Sequence, residues 1–193
     1  MTTAPTDTPV VVGPFSLEEF FAWDGRIDGD DGRSDPPMWE LVDGMAILMA
    51  SPGGRHQVVL AELQRHLFST CPPGFLPVQG PVDWVVLPLA PTVRIPDLVI
   101  APRRLGLRLT EPPLLAVEVV SPSASARRRD FVEKRADYAE AGLLHYWVVD
   151  PTVPEVVVFA GPGLPEVARV AGDEVLVIDA PVTVRFAPSS LLP

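Results

Sequence analysis

The chain has 193 residues, 47% of them hydrophobic and 21% charged, which is enough to bury one substantial core. Its net charge of −10 excludes a protein that coats nucleic acid by bulk electrostatics, while leaving room for a local basic rim around an acidic site. Cys71 is the only cysteine, which excludes a disulfide framework and a thiolate metal cluster.

Residues 1–12 contain no basic side chain and no apolar run of signal-peptide form. No segment approaches the ~20 apolar residues that cross a bilayer, so a cytoplasmic protein with no membrane partner is expected. Residues 1–13 are rich in Thr, Pro and Val and read as a flexible tail; residues 14–193 read as a single domain. Ser16 followed by Glu19 forms a capping-box pattern that predicts a short helix over 17–23. A Gly/Asp/Pro loop is expected over 25–37. Two strands, 39–42 and 45–50, flank Asp43-Gly44, a strong two-residue hairpin signal. An amphipathic helix follows over 56–69, with Val59, Leu60, Leu63, Leu67 and Phe68 on its apolar face.

Residues 78–87 and 97–101 read as strands joined through a proline-bearing turn, and 103–113 as a basic loop. The run 114–120 is almost wholly apolar, as expected of a strand buried on both faces. A turn over 121–126, a helix over 130–141 ended by Gly142 and a strand over 144–149 come next. Residues 155–186 read as three or four short strands in an antiparallel meander. This order predicts an α/β fold with a central mixed sheet flanked by helices.

Glu118 is the only polar side chain of its apolar strand. A carboxylate buried there must meet a cation, bind a metal or take up a proton; the plain alternative is exposure at a strand end. Asp97 opens another apolar strand, and carboxylates on neighbouring strands supply the hard oxygen ligands that suit Mg²⁺. All 15 cationic residues except Lys134 are arginine. A lone lysine points to a task that needs a compact ammonium beside a metal-bound water rather than a planar guanidinium. Its alternatives are a chance survivor or a surface pair with Asp130. Tyr138 lies four residues on, on the same helical face. Glu40 could add a further carboxylate or be a solvated strand residue, and His56 could touch substrate or help cap its helix. Arg103, Arg127 and Arg128, with Arg104, Arg108 and Arg129 beside them, are expected as a basic rim for phosphates. No zinc-ligand spacing, Gly-rich phosphate loop or Gly-x-Ser-x-Gly elbow is present.

These residues, in this order, resemble the PD-(D/E)xK restriction-endonuclease-like superfamily and, within it, the Uma-type endonucleases. The matching stretches are Trp39-Glu40-Leu41-Val42-Asp43-Gly44, Ser51-Pro52 with His56, Pro96-Asp97-Leu98-Val99, and Val117-Glu118-Val119-Val120-Ser121-Pro122. They continue through Asp130, Lys134 and Tyr138 to Tyr146-Trp147-Val148-Val149-Asp150-Pro151, covering roughly residues 15–190. The resemblance implies a restriction-endonuclease-like fold and cleavage of nucleic acid, DNA before RNA, with Mg²⁺ or Mn²⁺ held by Asp97 and Glu118. It departs at Val120, where the superfamily carries a lysine, so Lys134 is expected to reach the same place from the helix. An inactive nuclease fold serving as a binding module is the alternative, and a homodimer is a further expectation.

Overall fold

The computed structural model describes residues 9–27 and 37–193; residues 1–8 of the expected tail and 28–36 of the expected loop lie outside the described residues. Strand β1 (Val11–Val12) and helix α1 (Leu17–Ala22) lead to β2 (Trp39–Val42), β3 (Met45–Leu48) and α2 (Gly54–Phe68). Then come β4 (Phe75–Gln79), β5 (Trp84–Leu87), β6 (Thr92–Arg94), β7 (Leu98–Pro102) and β8 (Leu115–Val119). A continuous helix follows, made of α3 (Ala124–Arg128), a π-helical turn (Arg129–Lys134) and α4 (Arg135–Glu140). The chain finishes with β9 (His145–Asp150), β10 (Glu155–Ala160), β11 (Glu166–Ala171), β12 (Leu176–Ile178), β13 (Val184–Phe186) and a 3₁₀ turn (Pro188–Leu191).

The larger sheet has six strands in the order β11-β10-β9-β8-β7-β4. Only β8 and β9 run parallel, so the sheet is mixed, and the long helix makes the crossover between them. Alternation along β8 assigns its faces. Leu115, Val117 and Val119 pack with Leu60, Leu63 and Leu67 of α2, whereas Ala116 shares the other face with Tyr138 of α4 and with Val120 beyond the strand end. Glu118 falls in phase with Ala116 and therefore faces the long helix.

The second sheet, β1-β3-β2-β6-β5, is antiparallel throughout. Its β2–β3 hairpin turns on Asp43 and Gly44, both at positive φ (49° and 78°), as a two-residue turn of this twist requires. The capping box on α1 is present as expected: Ser16 Oγ accepts from the Glu19 amide, and Glu19 Oε2 accepts from the Ser16 amide.

Several expectations are corrected. Val11 and Val12, expected within the tail, pair with Ile47 and Ala46. The strand expected over 78–87 breaks at Gly80-Pro81, because proline has no N–H for the ladder; β4 stays in the larger sheet and β5 joins the smaller. Phe68 is 57% exposed, since it lies ~100° around α2 from Leu67, beyond the apolar stripe. The helix expected from 130 begins at Ala124, where the Ser123 hydroxyl accepts from the Ala126 amide. The C-terminal meander is divided: β10 and β11 extend the larger sheet, whereas β12 and β13 pair only with each other.

Candidate active site

Asp97 sits at the turn into β7, and its Oδ2 accepts a hydrogen bond from the Val119 amide at 2.7 Å. That bond ties the carboxylate to the end of β8, one residue beyond Glu118. His56, in the first turn of α2, brings Nε2 to 3.1 Å from the same oxygen. Asp97 Oδ1 has no hydrogen-bond partner among the described residues, and the Asp97 side chain is 26% exposed. Glu118 is only 2% exposed; its Oε1 accepts from Tyr138 Oη at 2.8 Å and lies 3.0 Å from Lys134 Nζ. Its Oε2 is likewise uncommitted among the described residues. Both carboxylates line one small cavity of about 60 Å³, together with His56, Arg129 and Lys134.

Lys134 reaches that cavity because of the helix that carries it. Ala126, Asp130, Lys134 and Tyr138 form a buried stripe at intervals of four. In a regular α-helix such a stripe drifts by about 40° per step. The wider π-helical turn over Arg129–Lys134 takes up this drift and keeps all four side chains on the sheet. Lys134, 1% exposed, bridges the two sheets: Nζ is 2.8 Å from Glu40 Oε1 on β2 and 3.0 Å from Glu118 Oε1 on β8. Glu40 Oε1 also accepts from the Ile95 amide at 3.0 Å, and its Oε2 accepts from Arg94 Nη1 at 2.9 Å. Arg94 is itself held by Asp137 Oδ2, 2.6 Å from Nη2.

Burial raises the Glu40 carboxyl, but Lys134 and Arg94 overcome that and hold it at about 2. Burial also pushes Glu118 up; Lys134 opposes this, yet Asp97, Asp130 and Glu40 add to it, and its carboxyl ends well above the usual range. Burial lowers the Lys134 ammonium, and Glu118 with Glu40 more than reverses this, so it stays charged. Five carboxylates (Glu40, Asp97, Glu118, Asp130, Asp137) thus share the region with three cations (Arg94, Arg129, Lys134), an excess of two negative charges when all are ionised. No three His, Cys, Asp or Glu residues converge as a metal cage among the described residues. Two open carboxylate oxygens on side chains that line one cavity do fit Mg²⁺, which needs one or two carboxylates and keeps several waters. The buried Nδ1 of His56, unpartnered among the described residues, also favours a polar occupant.

The structure therefore brings together Asp97, Glu118, Lys134, Glu40, Tyr138 and His56. Val120 is buried in the core, and the ammonium expected there arrives from Lys134 instead. The surface pair considered for Asp130 and Lys134 is not formed: both are buried, and Asp130 Oδ1 accepts from Arg129 Nε at 3.1 Å. The arginines expected as a basic rim are spread over several places. Arg103 follows the far end of β7, a five-residue strand or ~17 Å from Asp97. Arg127 is turned to Asp150 and Glu155, with its guanidinium over the Phe131 ring. Arg128 is 76% exposed and pairs with Glu133. Arg108 lies 3.4 Å over the Phe21 ring. The arginine at the cavity is Arg129. Arg94, Asp130 and Asp137 were not anticipated as site residues; Asp130 stood in the stretch that carries the family resemblance, and the sequence signal of the other two was charge beside apolar residues.

Residues 17–186 match the model of the Uma2 family, described as "Putative restriction endonuclease". No curated protein matches. Among solved structures, the chain is similar to "a putative nuclease belonging to DUF820" from Anabaena variabilis. That similarity has a TM-score of 0.66 and 16% identity, covering 86% of this chain and 90% of the other, and it extends to the fold alone.

Proposed function

The chain belongs to the Uma2 family, and from that premise and the cavity's geometry we propose a divalent-metal-dependent nuclease that hydrolyses phosphodiester bonds of nucleic acid, DNA in preference to RNA. The observation that carries this reading is that Asp97 and Glu118, each with one carboxylate oxygen free of a partner among the described residues, line one cavity with Lys134. Those two side chains would hold Mg²⁺, or Mn²⁺ in its place. Such an ion, when bound, lowers the pKa of its water and offsets phosphoryl charge.

The chain's own groups do the rest. The Val119 amide and His56 both engage Asp97 Oδ2 and leave Oδ1 open among the described residues. Tyr138 and Lys134 take Glu118 Oε1 and leave Oε2 open. Lys134, kept charged by Glu40, would orient the attacking water and offset negative charge on the phosphate. Arg129 would meet a phosphate at the cavity edge, and Arg103 and Arg127 have no part.

Cleavage of DNA and RNA by wild type and Asp97→Ala, with Mg²⁺ or Mn²⁺, tests the reading. Loss of one metal position should lower the rate by at least ~100-fold, a large share of what a metal contributes. Equal activity in both proteins, or none in either, counts against it. One observation favours a second reading, a nuclease fold used only for binding: Lys134 is saturated by Glu40, Glu118 and the Ile95 carbonyl. Metal-independent binding of nucleic acid, with no cleavage by wild type, would support that alternative.

A further inference from the structure

A second cavity, of about 460 Å³, adjoins the first, and Met49, Ala50, Ser121 and Arg129 line both. The two cavities are therefore neighbours. Its lining divides by chemistry. Ile47, Leu48 and Met49 of β3 and the following residue are apolar, whereas Ser121, Arg128 and Arg129 near the start of the long helix are polar or cationic. Glu40 lines it too, engaged by Lys134 and Arg94, and so does Glu133, whose Oε1 is 3.0 Å from Arg128 Nε.

We propose that this groove seats a flexible single strand of nucleic acid and feeds its backbone to the Asp97–Glu118 cavity. The inference rests on the nuclease reading and narrows its substrate. Glu118 and Lys134 are buried, so a phosphate must enter the cavity to reach them. B-DNA is stiff over ~150 base pairs and cannot fold a short stretch of one strand into such a recess without losing pairing. A single strand can. A duplex also carries one charge per ~1.7 Å and favours a broad basic surface, to which a net charge of −10 is poorly matched. Arg103, Arg108 and Arg127 do not supply that surface, because they sit at the far end of β7, on Phe21 and on Asp150. Arg128 and Arg129 can meet two adjacent phosphates, with sugars and bases against Ile47, Leu48 and Met49.

The test is fluorescence anisotropy with a labelled 12-nucleotide DNA strand and its duplex, in EDTA so that nothing is cleaved, on the full chain. The strand should bind wild type at least ~10-fold more tightly than the duplex. Arg128→Ala should weaken strand binding and reduce the slope of log affinity against log salt by about 0.7, the value for one single-strand phosphate contact. Arg103→Ala, on the opposite side, should change neither. Equal or tighter duplex binding, no strand binding, or an Arg103→Ala effect equal to that of Arg128→Ala would overturn the proposal. The two readings fail separately. Mg²⁺-dependent cleavage of duplex without strand binding removes only the groove. Strand binding through Arg128, with no metal-dependent cleavage of any substrate, removes only the nuclease.

Discussion

At Lys134 a single buried ammonium compensates two carboxylates on different sheets. Lys134→Met leaves Glu40 and Glu118 facing each other without it, and should cost about 3–5 kcal/mol in urea unfolding at pH 7. A loss below ~1 kcal/mol would mean that the pair is absent in solution. Glu40 gives a pH signature of known sign. Its folded value of about 2 lies below its ordinary 4.5, so its contribution is complete above pH ~4.5 and fades as pH falls towards 2. The shift corresponds to about 3 kcal/mol, of which ~2 should be gone by pH 3. The stability gap between wild type and Glu40→Gln should narrow accordingly between pH 6 and pH 3; a gap that widens would contradict this. The meeting of Asp97, Glu118 and Lys134 was legible in the sequence because each breaks a pattern: one acid at the entry to an apolar strand, one within another, and one lysine among arginines. Arg94 and Asp137 break none. Their importance comes from partners distant in the chain, as Arg94 meets Glu40 and Asp137 only after folding.

Among the elements, the π-helical turn has the clearest functional consequence. Deleting the exposed Val132 should restore regular α-helical spacing and rotate Asp130 away from Lys134 by about 100°. The variant is expected to keep its helical circular dichroism while losing metal-dependent cleavage. Full activity would show that the wide turn is not needed to aim Lys134. The β2–β3 hairpin, the capping box and the apolar strands β8 and β9 were legible because local chemistry and long-range packing agree there. Two features were hidden for the opposite reason. The residues around Gly80-Pro81 read as one strand by periodicity, yet the partner strands lie in different sheets. The π-helical turn is invisible to a 3.6-residue period, since its buried stripe recurs every four residues and holds charged groups.

For the molecule as a whole, the site lies where the two sheets meet: Glu40 comes from the smaller, Glu118 from the larger, and Asp97 from the connection between them. The α/β fold with its central mixed sheet was legible from element order, and the restriction-endonuclease-like type from the family resemblance. The position of the cationic surface was not, because loops that adjoin the same strand emerge at its opposite ends, as Asp97 and Arg103 do around β7. No described helix is long and apolar enough to cross a membrane. The central claim is that Asp97 and Glu118 hold a divalent ion, and thermal unfolding during titration with Mg²⁺ and Mn²⁺ addresses it most directly. Wild type should gain roughly 5–10 °C at a hundredfold excess over Kd, while Asp97→Ala should gain nothing. An equal gain in both proteins, or no gain in wild type, would contradict the account.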